Sequence, residues 1–295
     1  LLCMKCNDPT NVILLRGNHE SKSMTYRFGF RTEVIWKYSE AVYEQFCDLF
    51  NTIPLAAILN SSMGKFLLCH GGISPKLNTV DDILAIDRFQ EPPHTGLFCD
   101  LLWSDPTNEE FFACNPDALN QWENIQFLPN NSRNCSYIYG YRAISSFIDN
   151  TTIRGVIRGH QCVGNGIELH SFGDPDLESP LAFTIFSAPN YSDRNRGAGM
   201  MISDEGINVR TYSGSSLQDE YSPVLVNGIS YGLQMFMKEL SACWDDFLYY
   251  TYDNYDPADE LPLAFTVSDI VESLSKYKEK DVMGTTSARS EERRV

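Results

Sequence analysis

The stretch IRGVIRGHQ, residues 153–161, runs from a short β-prone segment directly into glycine, histidine and an amide. Three further segments have the same layout, a β-prone run followed by Gly, His, Asn or Pro: NVILLRGNHE (11–20), KFLLCHGG (65–72) and LAFTIFSAPNY (181–191). Nearly continuous apolar runs are expected of strands that are covered on both faces of a sheet. Because α/β proteins bind ligands at strand ends, we expect the polar residues of these segments to lie at one edge of the sheet.

Helical patterns lie between these predicted strands. Residues 32–50 place apolar side chains at three- and four-residue spacing, and residues 141–150 repeat that pattern over a shorter length. The segment 105–135 is rich in Asn, Pro and Asp, which predicts a long surface loop. The alternation of strands and helices indicates an α/β fold.

Charge and cysteine content exclude several classes of protein. The formal net charge is −16, from 23 Lys and Arg against 39 Asp and Glu. Nucleic-acid backbones are bound by basic patches, so we expect no nucleic acid as the main partner. No apolar run approaches the roughly 18 residues that span a bilayer, so we expect no membrane association.

Nine scattered cysteines indicate reduced thiols and a cytoplasmic protein. The pair Cys3 and Cys6 lacks a second pair at zinc spacing.

Three of the five histidines, His19, His70 and His160, lie close to a β-prone run and near glycine. Imidazole nitrogen binds borderline metals such as zinc, iron and manganese, and glycine lets the backbone turn sharply beside a cleft. A single histidine is more often a hydrogen-bonded core or surface residue, but three recurrences of one layout favour a metal site. His94 and His170 lack this context and are interpreted as surface or structural residues.

Carboxylates are scarce around this candidate site. A dinuclear hydrolytic centre usually needs bridging Asp or Glu residues. Glu20 is adjacent, but we expect it to point away from the metal as an outer group. Asp105, in WSDP, is a candidate to lie near the site, but a turn residue explains it at least as well.

Five motifs in this order, LLRGNHE, HGGISP, LLWSDP, RGHQ and FSAPNY, resemble the signature set of the phosphoprotein Ser/Thr phosphatases, a metallophosphoesterase family. Within that family, KYSEAVYEQFCDLFNTIPLAAILN and LNTVDDILAIDRFQEPPHTGLFCDLLWSDP are most similar to the calcineurin type. The resemblance covers residues 1–212. It implies a metallophosphoesterase-type β-sandwich of two mixed sheets flanked by helices, with the N-terminal strands missing.

The resemblance also implies a mechanism and its residues. It implies a dinuclear Fe/Zn or Mn centre that hydrolyses phosphoserine and phosphothreonine in proteins through a metal-bridged hydroxide. A general acid protonates the leaving alkoxide. The matching positions are the second-metal ligands Asn18, His70 and His160, the general acid His19, and the phosphate-binding residues Arg133 and Tyr191.

The sequence departs from the family pattern in several places. The motifs GDxHG and GDxxDRG do not occur in it. In the family they supply the first metal's ligands, the bridging Asp and the carboxylate that orients the general acid, so only the second-metal ligands are present. We interpret this as N-terminal truncation and expect the isolated chain to be inactive or nearly so. The alternatives are a pseudophosphatase that acts as a binding protein, and another metallophosphoesterase such as a nuclease. Asn134 and Gly159 stand where Gly and Ala are usual.

The character of the sequence changes after about residue 212. Residues 224–248 repeat apolar side chains at amphipathic helical spacing. This helix either folds back onto its own domain or binds a partner, and its position resembles the helix that binds an EF-hand, calcineurin-B-like regulatory subunit. No calmodulin target occurs in this chain, although a longer protein could contain one. We predict a catalytic domain at 1–212, a linker, helix and acidic segment at 213–265, and a partly disordered tail at 266–295.

Overall fold

The structure is a computed structural model that describes residues 1–174, 176–192 and 194–214. The predicted helix at 224–248 and the tail at 266–295 lie outside the described residues. The predicted domain boundaries therefore stay predictions.

The described strands fall in three sheets. They are β1 (Ala56–Ser61), β2 (Gly64–Cys69), β3 (Asp105–Pro106), β4 (Phe127–Pro129), β5 (Tyr137–Tyr139), β6 (Ile153–Arg158), β7 (Ile167–His170), β8 (Ala182–Ile185), β9 (Gly197–Ser203) and β10 (Gly206–Tyr212). A five-stranded sheet has the order β1-β2-β6-β8-β7, a three-stranded sheet the order β3-β5-β4, and β9 pairs with β10. The predicted strands at 65–72, 153–161 and 181–191 are confirmed as β2, β6 and β8.

The five-stranded sheet is mixed. Its three central strands, β2, β6 and β8, run parallel, whereas β1 and β7 run antiparallel to their neighbours. Leu67, Val156 and Ala182, one on each central strand, are fully buried. Parallel strands that are covered on both faces need apolar residues on both faces, which is why continuous apolar runs predicted them.

Helices connect and cover the strands. They are α1 (Leu2–Asn7), α2 (Lys22–Arg27), α3 (Phe30–Lys37), α4 (Glu40–Thr52), α5 (Val80–Leu84), α6 (Leu97–Trp103), α7 (Glu109–Cys114), α8 (Pro116–Leu119) and α9 (Tyr141–Asn150), with a 3₁₀ helix at Trp122–Asn124. Leu101 and Leu102 of α6 and Ile144 and Phe147 of α9 share one core cluster with the sheet. The expected mixed α/β fold, with mixed sheets and helices, is confirmed. No helix within the described part of the chain is long and apolar enough to cross a membrane.

The helix predicted at residues 141–150 is confirmed as α9, but the pattern at 32–50 belongs to two helices. Ser39 interrupts them in an extended conformation, and its hydroxyl accepts a hydrogen bond from the Val42 backbone N–H at 3.3 Å. A Ser that caps a helix N-terminus satisfies an otherwise unpaired backbone donor, so it starts a new helix within a continuous apolar pattern.

The buried strand predicted at residues 11–15 is wrong. This segment is irregular, and Ile13 is 54% exposed. A strand is stabilised by hydrogen bonds and side-chain contacts with a neighbouring strand. No described strand pairs with this segment, so its β propensity has no partner.

The surface loop predicted at 105–135 is also wrong in part. The segment contains β3, α7, α8, the 3₁₀ helix and β4. Two of its Asn and Pro residues lie at helix starts: Asn108 caps α7 by accepting from Phe111 N–H at 2.9 Å, and Pro116 is the first residue of α8. Residues that break helices in their interior are favoured at their first positions, so composition alone misplaced them.

Candidate active site

The parallel pairing of β2 and β6 brings two predicted site histidines together. Cys69 of β2 is in register with Arg158 of β6, and His70 and His160 follow these residues at the same sheet edge. His70 Nε2 lies 3.2 Å from His160 Nδ1. His160 has a φ of 68°, a left-handed conformation that is uncommon outside glycine. Such strained residues cluster at functional sites.

Asn18 adds a third donor atom to this pair. Its side-chain Oδ1 lies 2.7 Å from His70 Nε2, and its side chain is buried in the loop that precedes α2. The Ser21 hydroxyl donates to the Asn18 backbone oxygen at 2.8 Å and fixes that loop. The structure therefore brings together the three predicted second-metal ligands, which we call the Asn–His–His cluster.

The Asn–His–His cluster fits part of a metal centre. Two ligand atoms that each lie roughly 2.0–2.2 Å from one cation are separated by about 3 Å, close to the 2.7 and 3.2 Å observed. Burial and the Arg158 charge lower the pKa of His70 to about 3 and that of His160 further, so both imidazoles stay neutral and can offer a lone pair. Among the described residues, no group of three His, Cys, Asp or Glu side chains is gathered for a metal. The cluster itself contributes two imidazole nitrogens and one amide oxygen.

Asp105 is a buried ion-pair residue near His160, so of its two interpretations the position near the site agrees with the structure and the turn residue does not. Its Oδ1 accepts from Arg158 Nη2 at 2.9 Å, and its Oδ2 accepts from Arg133 Nε at 3.0 Å and from Asn130 Nδ2 at 2.9 Å. Asp105 Oδ1 also lies 3.9 Å from His160 Nε2, a buried atom without a hydrogen-bond partner in the described part of the chain. Asp105 therefore links the histidine cluster to Arg133.

Arg158 organises this edge of the sheet, although the sequence did not single it out. Its side chain is fully buried. It donates to five acceptors, which are the backbone oxygens of Gly71 and Ser104 and the side chains of Asp105, Gln161 and Thr184. An arginine inside a β-prone run could have indicated this role. A charged side chain is buried only when it is paired, so an arginine in a buried strand implies acceptors around it.

Arg133 is held by one edge of its guanidinium. Nε donates to Asp105, while the side chain as a whole is 30% exposed. An arginine fixed in this way can present its remaining N–H groups to an anion in a defined orientation. Asn134, where the family usually has Gly, adopts a φ of 56°. Asn tolerates this left-handed conformation better than most residues, so the replacement is compatible with the turn.

His19 and Glu20 follow Asn18 in the loop that precedes α2, which we call the cluster loop, and their side chains have different surroundings. His19 is exposed, and its ring lies 5.0 Å from the Phe28 ring. Glu20 Oε2 accepts from the Gly17 backbone N–H at 2.8 Å, so the carboxylate turns back onto its own loop, as expected for an outer group. The buried Arg16 fixes the base of this loop by donating to the backbone oxygens of Glu20, Arg88 and Gln90 and to Asn51 Oδ1.

Tyr191 lies on an exposed loop after β8. Its ring is 64% exposed and packs against Phe186, with ring centroids 5.2 Å apart. The buried Asn195 amide holds the loop by accepting from the backbone N–H groups of Tyr191 and Ser192 and donating to the oxygens of Ala188 and Arg196. Among the described residues, the ring contact and the backbone hydrogen bond of Tyr191 are both within its own loop.

Two glycines that face His70 should respond differently to an added methyl group. A Cβ at Gly17 would lie 2.7 Å from Glu20 Oε2 and 3.0 Å from His70 Nδ1, whereas a Cβ at Gly159 would lie 3.6 Å from His70 Nδ1. We expect Gly17→Ala to displace His70 and to weaken Mn²⁺ binding by more than about tenfold, and Gly159→Ala to leave it unchanged. Calorimetric titration of both variants checks this, and equal affinities would contradict it.

Comparisons with known proteins agree on one family. Residues 1–164 match the family model described as calcineurin-like phosphoesterase. Serine/threonine-protein phosphatase 2B catalytic subunit A2 from Saccharomyces cerevisiae is 37% identical over 231 residues, covering 72% of this chain and 38% of that protein. Serine/threonine-protein phosphatase 4 catalytic subunit from the same organism is 35% identical, covering 70% of this chain and 59% of that protein. The chain thus spans less than two thirds of the length of either relative.

A solved structure of a serine/threonine phosphatase has a similar fold. It is a protein serine/threonine phosphatase from Saccharomyces cerevisiae with similarity to human phosphatase PP5. The TM-score is 0.59 at 28% identity, and the match covers 72% of this chain and 64% of that chain.

Proposed function

Because the chain belongs to the calcineurin-like phosphoesterase family, we propose that it carries part of the active site of a protein Ser/Thr phosphatase, which hydrolyses phosphoserine and phosphothreonine in proteins. The observation that carries the proposal is the meeting of Asn18 Oδ1, His70 Nε2 and His160 Nδ1 at one sheet edge. The relatives named as serine/threonine-protein phosphatases support the substrate class.

The cluster residues would hold one cation of the centre. Asn18, His70 and His160 offer an amide oxygen and two neutral imidazoles, a donor set suited to zinc, iron or manganese. When bound, such a cation supplies Lewis-acid polarisation of the phosphoryl group and of water. The protein fixes the two imidazoles through the paired ends of β2 and β6, so little reorganisation is needed to bind the cation.

Arg133 and His19 would act directly on the substrate. Arg133, oriented through its Nε by Asp105, would bind the phosphate oxygens and stabilise their charge as the phosphorus is attacked. His19 is exposed beside the cluster loop, where it would donate a proton to the departing Ser or Thr oxygen. Tyr191 would contact the bound phosphate from its Asn195-held loop.

The proposal also covers the metals, the location of the protein and a partner subunit. We propose an Fe/Zn or Mn centre in a cytoplasmic protein, and an EF-hand, calcineurin-B-like regulatory subunit that binds residues 224–248. Relatives named as catalytic subunits support a multisubunit enzyme. Co-purification with such a subunit that survives Leu233→Asp and Phe236→Asp would contradict residues 224–248 as its binding site, and no co-purification with the unchanged chain would contradict the partner.

Binding of a phosphopeptide tests the proposed function. With Mn²⁺ present, we expect a phosphoserine peptide to bind at least about tenfold more tightly than its unphosphorylated form, because charge-assisted bonds to phosphate are strong. Arg133→Ala should remove that difference, and Arg154→Ala, at an exposed position on β6, should preserve it. Fluorescence anisotropy measures both.

Turnover is a separate expectation for the 295-residue chain. Because the motifs GDxHG and GDxxDRG do not occur in the sequence, we expect phosphate release close to the background rate even with excess Mn²⁺. Efficient multiple turnover by the isolated chain would contradict this expectation. Equal binding of the phosphorylated and unphosphorylated peptides would contradict the proposed function itself.

A further inference from the structure

His170 and Thr184 form a buried polar pair beside Arg158. His170, interpreted from the sequence as a surface or structural residue, ends β7 with 2% of its surface exposed, and Thr184 of the neighbouring strand β8 is fully buried. His170 Nε2 lies 2.7 Å from the Thr184 hydroxyl oxygen. Phe172 packs against the imidazole, with ring centroids 6.0 Å apart. Because both polar groups are buried, water does not compete for the hydrogen bond between them.

Arg158 fixes the direction of that hydrogen bond. Arg158 of β6 is in register with Thr184, and its Nη1 donates to the Thr184 hydroxyl oxygen at 3.3 Å. Since a guanidinium can only donate, the hydroxyl accepts from Arg158 and its own proton is left to point toward His170 Nε2. Nε2 therefore accepts, which requires that the proton of a neutral imidazole lie on Nδ1.

The imidazole of His170 is neutral. Burial and the positive charge of Arg158 lower its pKa to about 3, against an opposing effect of the Thr107 backbone. A protonated ring would have no lone pair for the Thr184 proton and would place a second positive charge beside Arg158. Nδ1 is buried without an ordinary hydrogen bond to a described residue, so Thr184 is the partner through which the ring acts.

Arg158 connects this pair to the candidate active site. Its guanidinium is planar and rigid, so an acceptor that holds Nη1 also sets the direction of Nη2. Nη2 donates to Asp105 Oδ1 at 2.9 Å, and Asp105 Oδ2 accepts from Arg133 Nε at 3.0 Å. A continuous series of hydrogen bonds and shared side chains thus joins the buried imidazole to the arginine that is proposed to bind phosphate.

We propose that His170 is a positioning residue of the candidate active site, which acts through Thr184 and Arg158 on Asp105 and so on the orientation of Arg133. The inference rests on the proposed function for the identity of phosphate as the ligand of Arg133. By accepting the Thr184 proton, the imidazole keeps the hydroxyl lone pairs turned toward Arg158. Without His170 the hydroxyl can rotate and donate elsewhere, and Arg158 loses a fixed acceptor.

Paired variants of His170 test this role on the full chain with Mn²⁺. The measured quantity is the phosphate preference, which is the Kd of the unphosphorylated peptide divided by that of the phosphoserine peptide. His170→Phe keeps an aromatic ring and removes Nε2, and we expect it to lower the phosphate preference about fivefold, as the loss of one hydrogen bond typically does. His170→Gln offers an amide oxygen to the Thr184 hydroxyl, so it should retain most of the preference.

Variants of Thr184 make the same comparison one step nearer to the site. Thr184→Val replaces the hydroxyl by a methyl group and should also lower the phosphate preference about fivefold, whereas Thr184→Ser should retain it. The double variant with His170→Phe should lose no more than Thr184→Val alone, because His170 acts only through Thr184. His94→Phe, at an exposed position, is the control and should leave the preference unchanged.

Nitrogen-15 NMR of the metal-free chain tests the positioning without any substrate. We expect the chemical shift of an unprotonated nitrogen at His170 Nε2 and that of a protonated nitrogen at Nδ1. The Arg158 Nε–H group donates to the Gly71 backbone oxygen. Its hydrogen exchange should be faster in His170→Phe than in His170→Gln or in the unchanged chain, because the guanidinium is held less firmly.

Three results would each overturn the proposal. They are a proton on His170 Nε2, an unchanged phosphate preference in His170→Phe, and a loss in His170→Phe that His170→Gln does not restore. A pair that only supports the fold would give the second result, with a lower free energy of unfolding in both His170 variants. Should His170→Phe impair folding, Thr184→Val takes its place, with Thr184→Ser as the rescue.

The outcome for the unchanged chain separates this inference from the proposed function. Absence of any phosphate preference in the unchanged chain would contradict the proposed function. The nitrogen shifts and the exchange of the Arg158 Nε–H group would then decide whether His170 positions Arg158, since neither measurement involves phosphate.

Discussion

Arg158→Leu is expected to lower the free energy of unfolding by about 3–5 kcal/mol, because it leaves buried acceptors without their donor. Arg158 is fully buried and pairs with Asp105, whose carboxylate would lose its buried countercharge. The backbone oxygens of Gly71 and Ser104 would lose a donor in the same region. The damage lies at the sheet edge that holds His160, so we expect loss of the site together with loss of stability.

Urea unfolding followed by circular dichroism measures this effect. Arg154→Leu is the matched control, since Arg154 lies on the same strand with an exposed side chain, and its replacement should change the free energy of unfolding by less than about 0.5 kcal/mol. Similar free energies for the two variants would show that the Arg158 network does not stabilise the fold.

His70→Ala and His160→Ala are expected to weaken binding of a divalent transition metal by more than about 100-fold each. Loss of a group that only orients a metal ligand typically lowers metal affinity 10–100-fold. Each of these changes removes a proposed ligand itself, so we expect a larger loss of affinity. The double variant should bind the metal no more tightly than unspecific surface sites do.

Calorimetric titration with Mn²⁺ measures these affinities. His94→Ala is the control, because His94 is exposed and lies outside the cluster. We expect about one equivalent of metal on the unchanged chain and on the His94→Ala variant. Retention of that equivalent in the double variant would place the metal elsewhere.

The sequence predicted the central sheet because its parallel strands are buried on both faces. Burial on both faces is recorded in the local sequence, as the apolar runs of β2, β6 and β8. Once these strands were predicted, the polar residues after β2 and β6 were predicted to lie at strand ends. The run at 11–15 has the same composition but no described strand to pair with. Strand pairing is a non-local property, so composition could not separate these cases.

The Asp105–Arg158 pair could not be predicted from local pattern. Both residues are polar groups whose burial depends on each other, across 53 positions of the chain. Each looked ordinary in its own segment, one as a turn residue and the other as a strand residue. The helices α7 and α8 were missed for a similar reason, because Asn and Pro favour both loops and helix starts.

X-ray absorption at the zinc edge identifies the atoms that bind the metal, and so tests whether the Asn–His–His cluster is a metal site. On the chain loaded with one equivalent of Zn²⁺, we expect nitrogen and oxygen neighbours at about 2.0–2.1 Å from the zinc, together with the more distant scattering of two imidazole rings. In the His70→Ala, His160→Ala double variant this imidazole scattering should disappear. A sulfur shell at about 2.3 Å, as Cys3 and Cys6 would give, or a spectrum unchanged in the double variant, would contradict a metal site at the Asn–His–His cluster.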